Sequence, residues 1–188
     1  ILDEAIAPLN MPNKTIHMGS LIRRELEYRH YERSLRIKAF RKMFAFVQKT
    51  PIAYKSFVIE KKQLASRLEW NVRLTKLIGA FVKENLQYFT EFDRAIIYYD
   101  NGQSELTGVV ITIFNTLLSN IEFRRVAPSD YKLLQVADLI CTLELLSLKY
   151  EAKVLSSFEL NFFESPRVLK KNYLKIIRKK QFEKTKTT

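Results

Sequence analysis

The run Ile96-Ile97-Tyr98-Tyr99 consists of four β-prone residues that stop at an acid, Asp100. A turn follows at Asn101-Gly102, and a helical pattern then extends from Gln103 to about Leu118. An apolar strand that runs into a helix is the unit from which parallel, two-sided sheets are built. In open α/β sheets the chemistry gathers at the carboxyl ends of the strands. Asp100 is therefore the first candidate for function. It has an equally physical structural reading: with Gln103 three residues on, it can cap the following helix.

Further along the chain, β-branched and aromatic residues from Ile52 to Glu60 predict another strand. A third is predicted from Asn120 to Val126. Helical spacing is expected at residues 1–10, in Leu21–Gln48, in Leu64–Phe89 and in Tyr131–Tyr150. Gly79, inside the third of these, suggests a close helix–sheet approach. Short helices are expected over Ser156–Glu164 and from Pro166 to near Lys180. The order of strands and helices predicts an α/β fold. With only 4 Gly and 5 Pro in 188 residues, one domain of long regular elements is expected over 1–182. A basic, disordered tail is expected over 183–188.

The helix predicted over Tyr131–Tyr150 carries apolar residues almost all round, from Leu133 to Leu148, and is expected to be buried. Asp138 stands in its middle, with Gln135 and Thr142 on the same face. A carboxylate in such a place must be hydrogen-bonded, ion-paired or bound to metal. The structural reading is a backbone donor or an arginine. The functional reading pairs Asp138 with Asp100, because two carboxylates from separate elements can converge on a divalent cation. Hard oxygen ligands favour Mg²⁺ or Mn²⁺, and two-metal phosphodiester chemistry needs further acids.

Charge points to the partner. The net charge is +12. Nine Lys or Arg against one acid lie between Arg167 and Thr188, and eight against three between Arg23 and Lys42. Such a surplus favours nucleic acid first and an anionic membrane second; its alternative is a solvated helix face with a basic tail. Arg124, Arg125, Lys170 and Lys171 are the cations expected to track phosphates.

Other classes are excluded by what is missing. There is no phosphate-binding glycine loop, no dinucleotide fingerprint, no zinc-protease helix motif and no nucleophile elbow. Two histidines cannot make a histidine-rich metal site, and the single Cys141, read as core filler, cannot form an internal disulfide. A reducing, cytoplasmic setting is expected, with no membrane span. His17, before a Gly-Ser pair, is a candidate site residue; His30 is expected at the surface. Glu105 is a weaker candidate in the first turn after Asp100.

Ile16-His17-Met18, Tyr98-Tyr99-Asp100-Asn101-Gly102 and, above all, Leu134-Gln135-Val136-Ala137-Asp138-Leu139-Ile140 resemble the "domain of unknown function 3800" family. Glu159–Phe163 and Lys170–Lys175 are similar to its C-terminal part, so the likeness runs from about Ile16 to Lys180. It implies a ribonuclease H-like mixed sheet flanked by helices, and a metal-dependent nuclease of bacterial and phage-related settings. Carried over by position, Asp100 and Asp138 are implied metal ligands and His17 a site-lining residue. Members usually begin with a strand carrying Asp-Glu-Ser. That strand is not recognisable here, where Asp3-Glu4-Ala5 is only an echo, so the expectation is either that this sequence lacks its N-terminal part or that the site is incomplete. The resulting expectation is hydrolysis of phosphodiester bonds in nucleic acid. The alternative is an inactive module that binds nucleic acid or a protein partner, including one in phage defence. Assembly is left open, a homodimer included.

Overall fold

The structure is a computed structural model that describes residues 15–60, 66–100 and 104–183. Several expectations lie outside those residues: the helix at 1–10, the echo at Asp3–Ala5, the turn at Asn101–Gln103 and the tail beyond Glu183. The Glu105 side chain lies outside them too.

In chain order the elements are α1 (Met18–Arg23), a 3₁₀ turn (Leu26–His30), α2 (Arg33–Lys49), α3 (Arg67–Glu84), α4 (Leu86–Thr90) and β1 (Ala95–Tyr99). There follow α5 (Ser104–Leu117), β2 (Ile121–Arg125), α6 (Leu133–Glu151), α7 (Ser157–Phe163) and α8 (Pro166–Leu169). A π-helical turn (Lys170–Leu174) and α9 (Lys175–Arg178) end the described chain. Among the described residues helix makes up 64% and strand 8%. The expected α/β fold with a ribonuclease H-like mixed sheet is therefore not the fold: the described residues are mostly helical, with a small sheet of two parallel strands. The βαβ element itself stands where the residue pattern puts it, with Ala95 opposite Ile121 and Tyr99 opposite Arg125.

The strand expected over Ile52–Glu60 does not form. Those residues alternate between half-buried and exposed, as an extended chain does, yet among the described residues Tyr54 alone forms a β-bridge. Its N–H donates to Lys180 O at 3.0 Å and its carbonyl accepts from Phe182 N–H at 2.7 Å. β-propensity without a neighbouring strand gives an extended segment, because the ladder supplies the stability.

The described residues divide into two compact units. One unit comprises residues 15–56 and 131–183. Its core is built on α2, whose buried residues Arg36, Ala39, Phe40, Met43, Phe44 and Val47 recur at three- and four-residue steps. Phe40 meets Phe162, Phe163 and Tyr173 edge to face at 5.5, 5.4 and 5.1 Å, the arrangement aromatic quadrupoles favour. Thr50 ends α2 by donating its hydroxyl to Phe46 O at 2.8 Å, and Pro51 prevents a further turn. The expected single helix from Leu21 is broken upstream: Arg24 adopts left-handed backbone (φ 61°) and closes α1.

In the same unit α6 buries Gln135, Val136, Leu139, Ile140, Leu143, Leu146 and Ser147. It is not buried all round. Leu133, Ala137, Cys141, Leu145 and Leu148 are exposed, so Cys141 is not core filler. The apolar residues on this second face have no counterpart among the described residues to cover them.

The second unit comprises residues 57–130 apart from 61–65 and 101–103. Leu74, Ile78 and Val82 of α3 pack with Ile113 of α5, and Phe57, Trp70, Phe81, Phe89 and Phe114 surround them. Ser66 caps α3 by accepting Glu69 N–H at 3.2 Å. The helix expected to continue to Phe89 breaks at Asn85, whose buried amide donates back to Phe81 O at 2.7 Å and competes with the helical ladder. Leu68 and Leu77 of the same helix face outward. No atom lies close to where a Gly79 side chain would stand, so no sheet approaches there.

Candidate functional site

Two stretches singled out by sequence, Ile16-His17-Met18 and Gln135–Asp138, meet in the first unit although about 120 residues separate them. The backbone at 16–18 must turn from extended chain into α1, and its amides have no helical acceptor there. Each is met by a side chain instead. Ile16 N–H donates to Gln135 Oε1 at 3.0 Å, His17 N–H to Tyr28 Oη at 3.1 Å, and Met18 N–H to Asp138 Oδ2 at 2.8 Å. His17, the residue before α1, contributes no side-chain cap. Asp138 acts in its place from another helix, putting a carboxylate at the positive end of α1.

Of the two readings of Asp138, the backbone donor is therefore present. The glutamine and the acid three residues apart on α6 form a clamp for one segment. Gln135 is 2% exposed, and Ile16 and Met18 are equally well buried. Three consecutive amides so held fix the entry to α1 within the core. Burial pushes the Tyr28 phenol up to about 12, so it stays protonated while it accepts from His17.

The same helix carries a further carboxylate that the sequence reading passed over. Glu144 Oε1 accepts from Tyr54 Oη at 2.6 Å and Oε2 from Ser56 Oγ at 3.2 Å. Burial and then Glu144 drive the Tyr54 phenol well above the tyrosine range. The available signal was its position: six residues after Asp138 on a largely apolar helix. Glu159, 2% exposed, was missed as well. It receives Lys149 Nζ at 2.7 Å and Ser156 N–H at 2.8 Å, and Ser156 Oγ accepts Glu159 N–H at 3.3 Å. Burial pushes the Glu159 carboxyl up, but Lys149 and Ser156 outweigh it and hold it below the ordinary range.

Asp100 lies in the second unit, half-buried just past the end of β1. Arg124 on β2 stands opposite Tyr98, and is already engaged. Its Nε donates to Glu122 Oε1 at 2.5 Å, its Nη1 to Tyr98 Oη at 3.1 Å, and its guanidinium lies 5.8 Å from the Tyr98 ring centre. Arg94 shares Glu122 at 3.4 Å. Arg125, the next residue, is exposed and has no acid partner among the described residues. In the first unit Lys170 and Lys171 are exposed on the π-helical turn, with Lys170 Nζ 5.2 Å from the Tyr150 ring centre.

A divalent cation needs more than these donors supply. Asp138 already gives one oxygen to Met18 N–H, and His17 beside it is exposed. Among the described residues no three of His, Cys, Asp and Glu stand together in a metal-holding group. The set that is described does not fit a two-metal centre, which requires several carboxylates around ions about 3.5–4 Å apart. Nor, among the described residues, is any helix long and apolar enough to cross a membrane. Compared with known proteins, this chain matches no family model, no curated protein and no solved structure.

Proposed function

We propose that this chain is a nucleic-acid-binding module whose basic surfaces engage phosphates without sequence-specific chemistry of their own. The supporting observation is that Arg125, Lys170 and Lys171 are exposed and carry no acid partner among the described residues, on a chain of net charge +12. Unpaired surface cations keep their full attraction for a polyanion, and each phosphate they neutralise releases condensed counterions. Arg124 contributes less, because Glu122 already takes its charge.

The test is fluorescence anisotropy with labelled single-stranded and duplex oligonucleotides at low salt. Wild type binds, and the triple variant Arg125→Gln, Lys170→Gln, Lys171→Gln binds at least about tenfold more weakly. Failure of the wild-type chain to bind any oligonucleotide would remove the proposal.

A second reading is hydrolysis of phosphodiester bonds with Mg²⁺ or Mn²⁺, in which Asp100 and Asp138 are tested separately, each as a ligand within its own unit. One observation favours it: Asp100 directly follows β1 at the carboxyl end of a parallel pair. Cleavage assays with each ion, on wild type and on Asp100→Asn and Asp138→Asn, decide it. Cleavage left intact in both variants would eliminate those ligands.

A further inference from the structure

Arg24, Arg33 and Arg36 converge on one pocket of about 290 Å³ in the first unit, lined also by Ile22, Tyr31, Glu32, Phe158 and Asn161. Three like charges in one concavity repel, and both Arg24 and Arg33, after burial, drive the Arg36 guanidinium below its ordinary range. Something must hold them there. In each case it is mainly backbone carbonyls. Arg24 Nε donates to Arg29 O at 3.0 Å, and Arg33 Nε to Asn161 O at 2.8 Å. Arg36 Nη1 donates to Leu21 O at 2.7 Å and Ile22 O at 3.2 Å, closing the end of α1. Carbonyls orient a guanidinium without neutralising it.

Carboxylates take little of this charge. Arg33 Nη2 reaches Glu164 only at 3.4 Å while also meeting Phe162 O at 3.3 Å. Glu32, the one acid in the lining, accepts from Ser34 Oγ and is exposed. Arg36 is 6% exposed, yet its Nε has no acceptor and Nη2 makes no hydrogen bond among the described residues. Nε is sealed within the protein, whereas Nη2 is not, so Nη2 is the nitrogen left to donate to an oxyanion in the pocket. Arg24 is held at φ 61°, which side chains other than glycine rarely adopt, and this strain sits at the pocket rim.

The lining also contains a ring. Phe158 is 57% exposed and Tyr31 is half-buried, so an aromatic face opens beside the guanidinium cluster. Oxyanion donors next to an open aromatic ring match a phosphate with its adjoining base, the pattern by which single strands are held. We propose that this pocket binds a phosphate of single-stranded nucleic acid through Arg24, Arg33 and Arg36, with the neighbouring base stacked on Phe158. The assignment rests on the nucleic-acid reading for its choice of ligand.

Anisotropy with a short 3′-labelled oligothymidylate on the full chain separates a pocket from general attraction. Arg24→Gln and Arg167→Gln each remove one exposed positive charge, but only Arg24 lines the pocket. The pocket predicts that Arg24→Gln and Phe158→Ala each weaken binding about tenfold. Arg167→Gln should weaken it much less. Equal losses for the two arginine variants, with no loss for Phe158→Ala, would overturn the pocket and leave the nucleic-acid reading standing. No oligonucleotide binding by wild type would overturn both. A second measurement uses thymidine 5′-monophosphate and inorganic phosphate while the arginine Nε–H resonances are followed. Both probes shift the Arg24, Arg33 and Arg36 signals, and only the nucleotide also shifts Phe158. Unmoved arginine signals would overturn the proposal.

Discussion

Replacing Asp138 by alanine should loosen the start of α1 without disturbing the core that α6 buries. In the native chain Asp138 Oδ2 accepts from Met18 N–H at 2.8 Å, and Met18 has no exposed surface. Alanine leaves that amide without an acceptor and without water. A hydrogen bond to a charged group contributes roughly 1.5–3 kcal/mol, and a lost helix cap costs about 1 kcal/mol. These describe the same interaction, so they do not add, and the expected loss is about 2 kcal/mol. Asparagine keeps an acceptor oxygen and removes only the charge at the helix N-terminus, worth roughly 0.3–1 kcal/mol. Urea unfolding with unchanged slope should therefore order the proteins wild type, Asp138→Asn, Asp138→Ala. Amide hydrogen exchange gives the local readout: Met18 should lose protection in the alanine variant. Gln135→Ala should act on Ile16 in the same way, and the double variant should cost less than the sum, because both side chains hold one segment. If Asp138→Ala unfolds within about 0.5 kcal/mol of wild type and Met18 stays protected, the clamp is not what holds this segment.

Three further expectations follow from named contacts. Glu159 has its folded carboxyl held below its unfolded value, so its stabilisation is present above about pH 4.3 and is lost as pH falls through the folded value. Glu159→Gln should cost about 2 kcal/mol at neutral pH, less than a fully buried pair because Lys149 is partly solvated, and flatten the acid limb of a stability–pH curve; an unchanged limb would contradict it. The Cys141 thiol is pushed up by local burial and by Asp138 and Glu144 although the residue has open surface, so its iodoacetamide reaction should have a pH midpoint above the ordinary value of about 8.5. A midpoint at or below that value would be wrong for this environment. Arg125→Gln should weaken oligonucleotide binding several-fold more than Arg124→Gln, read by anisotropy, since Glu122 already occupies Arg124; equal effects would mean that the Glu122 pair opens on binding.

Local patterns in this chain were legible, and their assembly was not. The strand up to Tyr99 and the helix from Ser104 to Leu117 read directly, because an unbroken β-prone run and helical spacing are both local signals. The strand at Asn120–Val126 was equally plain. Ile52–Glu60 misled for a physical reason: its β-propensity is real, but among the described residues Tyr54 alone forms a β-bridge. The apolar circumference of α6 suggested full burial, yet an exposed Leu133 or Leu145 has the same composition as a buried Leu139. The break at Asn85 was hidden inside a continuous apolar period, and only the side-chain bond to Phe81 reveals it. At the candidate site, Gln135, Asp138 and His17 were all conspicuous. What no one-dimensional pattern could show is that the first two serve the backbone around the third. The arginine pocket was invisible for the same reason, since Arg24, Arg33 and Arg36 look like an ordinary charged face until the 3₁₀ turn, α7 and α1 supply the carbonyls that aim them.

The salt dependence of oligonucleotide binding tests the central claim most directly. Anisotropy titrations of the full chain at increasing monovalent salt give the slope of log affinity against log salt. Phosphate contacts predict a steep, linear decline with a slope of roughly −0.7 for each phosphate neutralised on a single strand. Binding that does not weaken with salt, or no binding at the lowest salt, would contradict the claim.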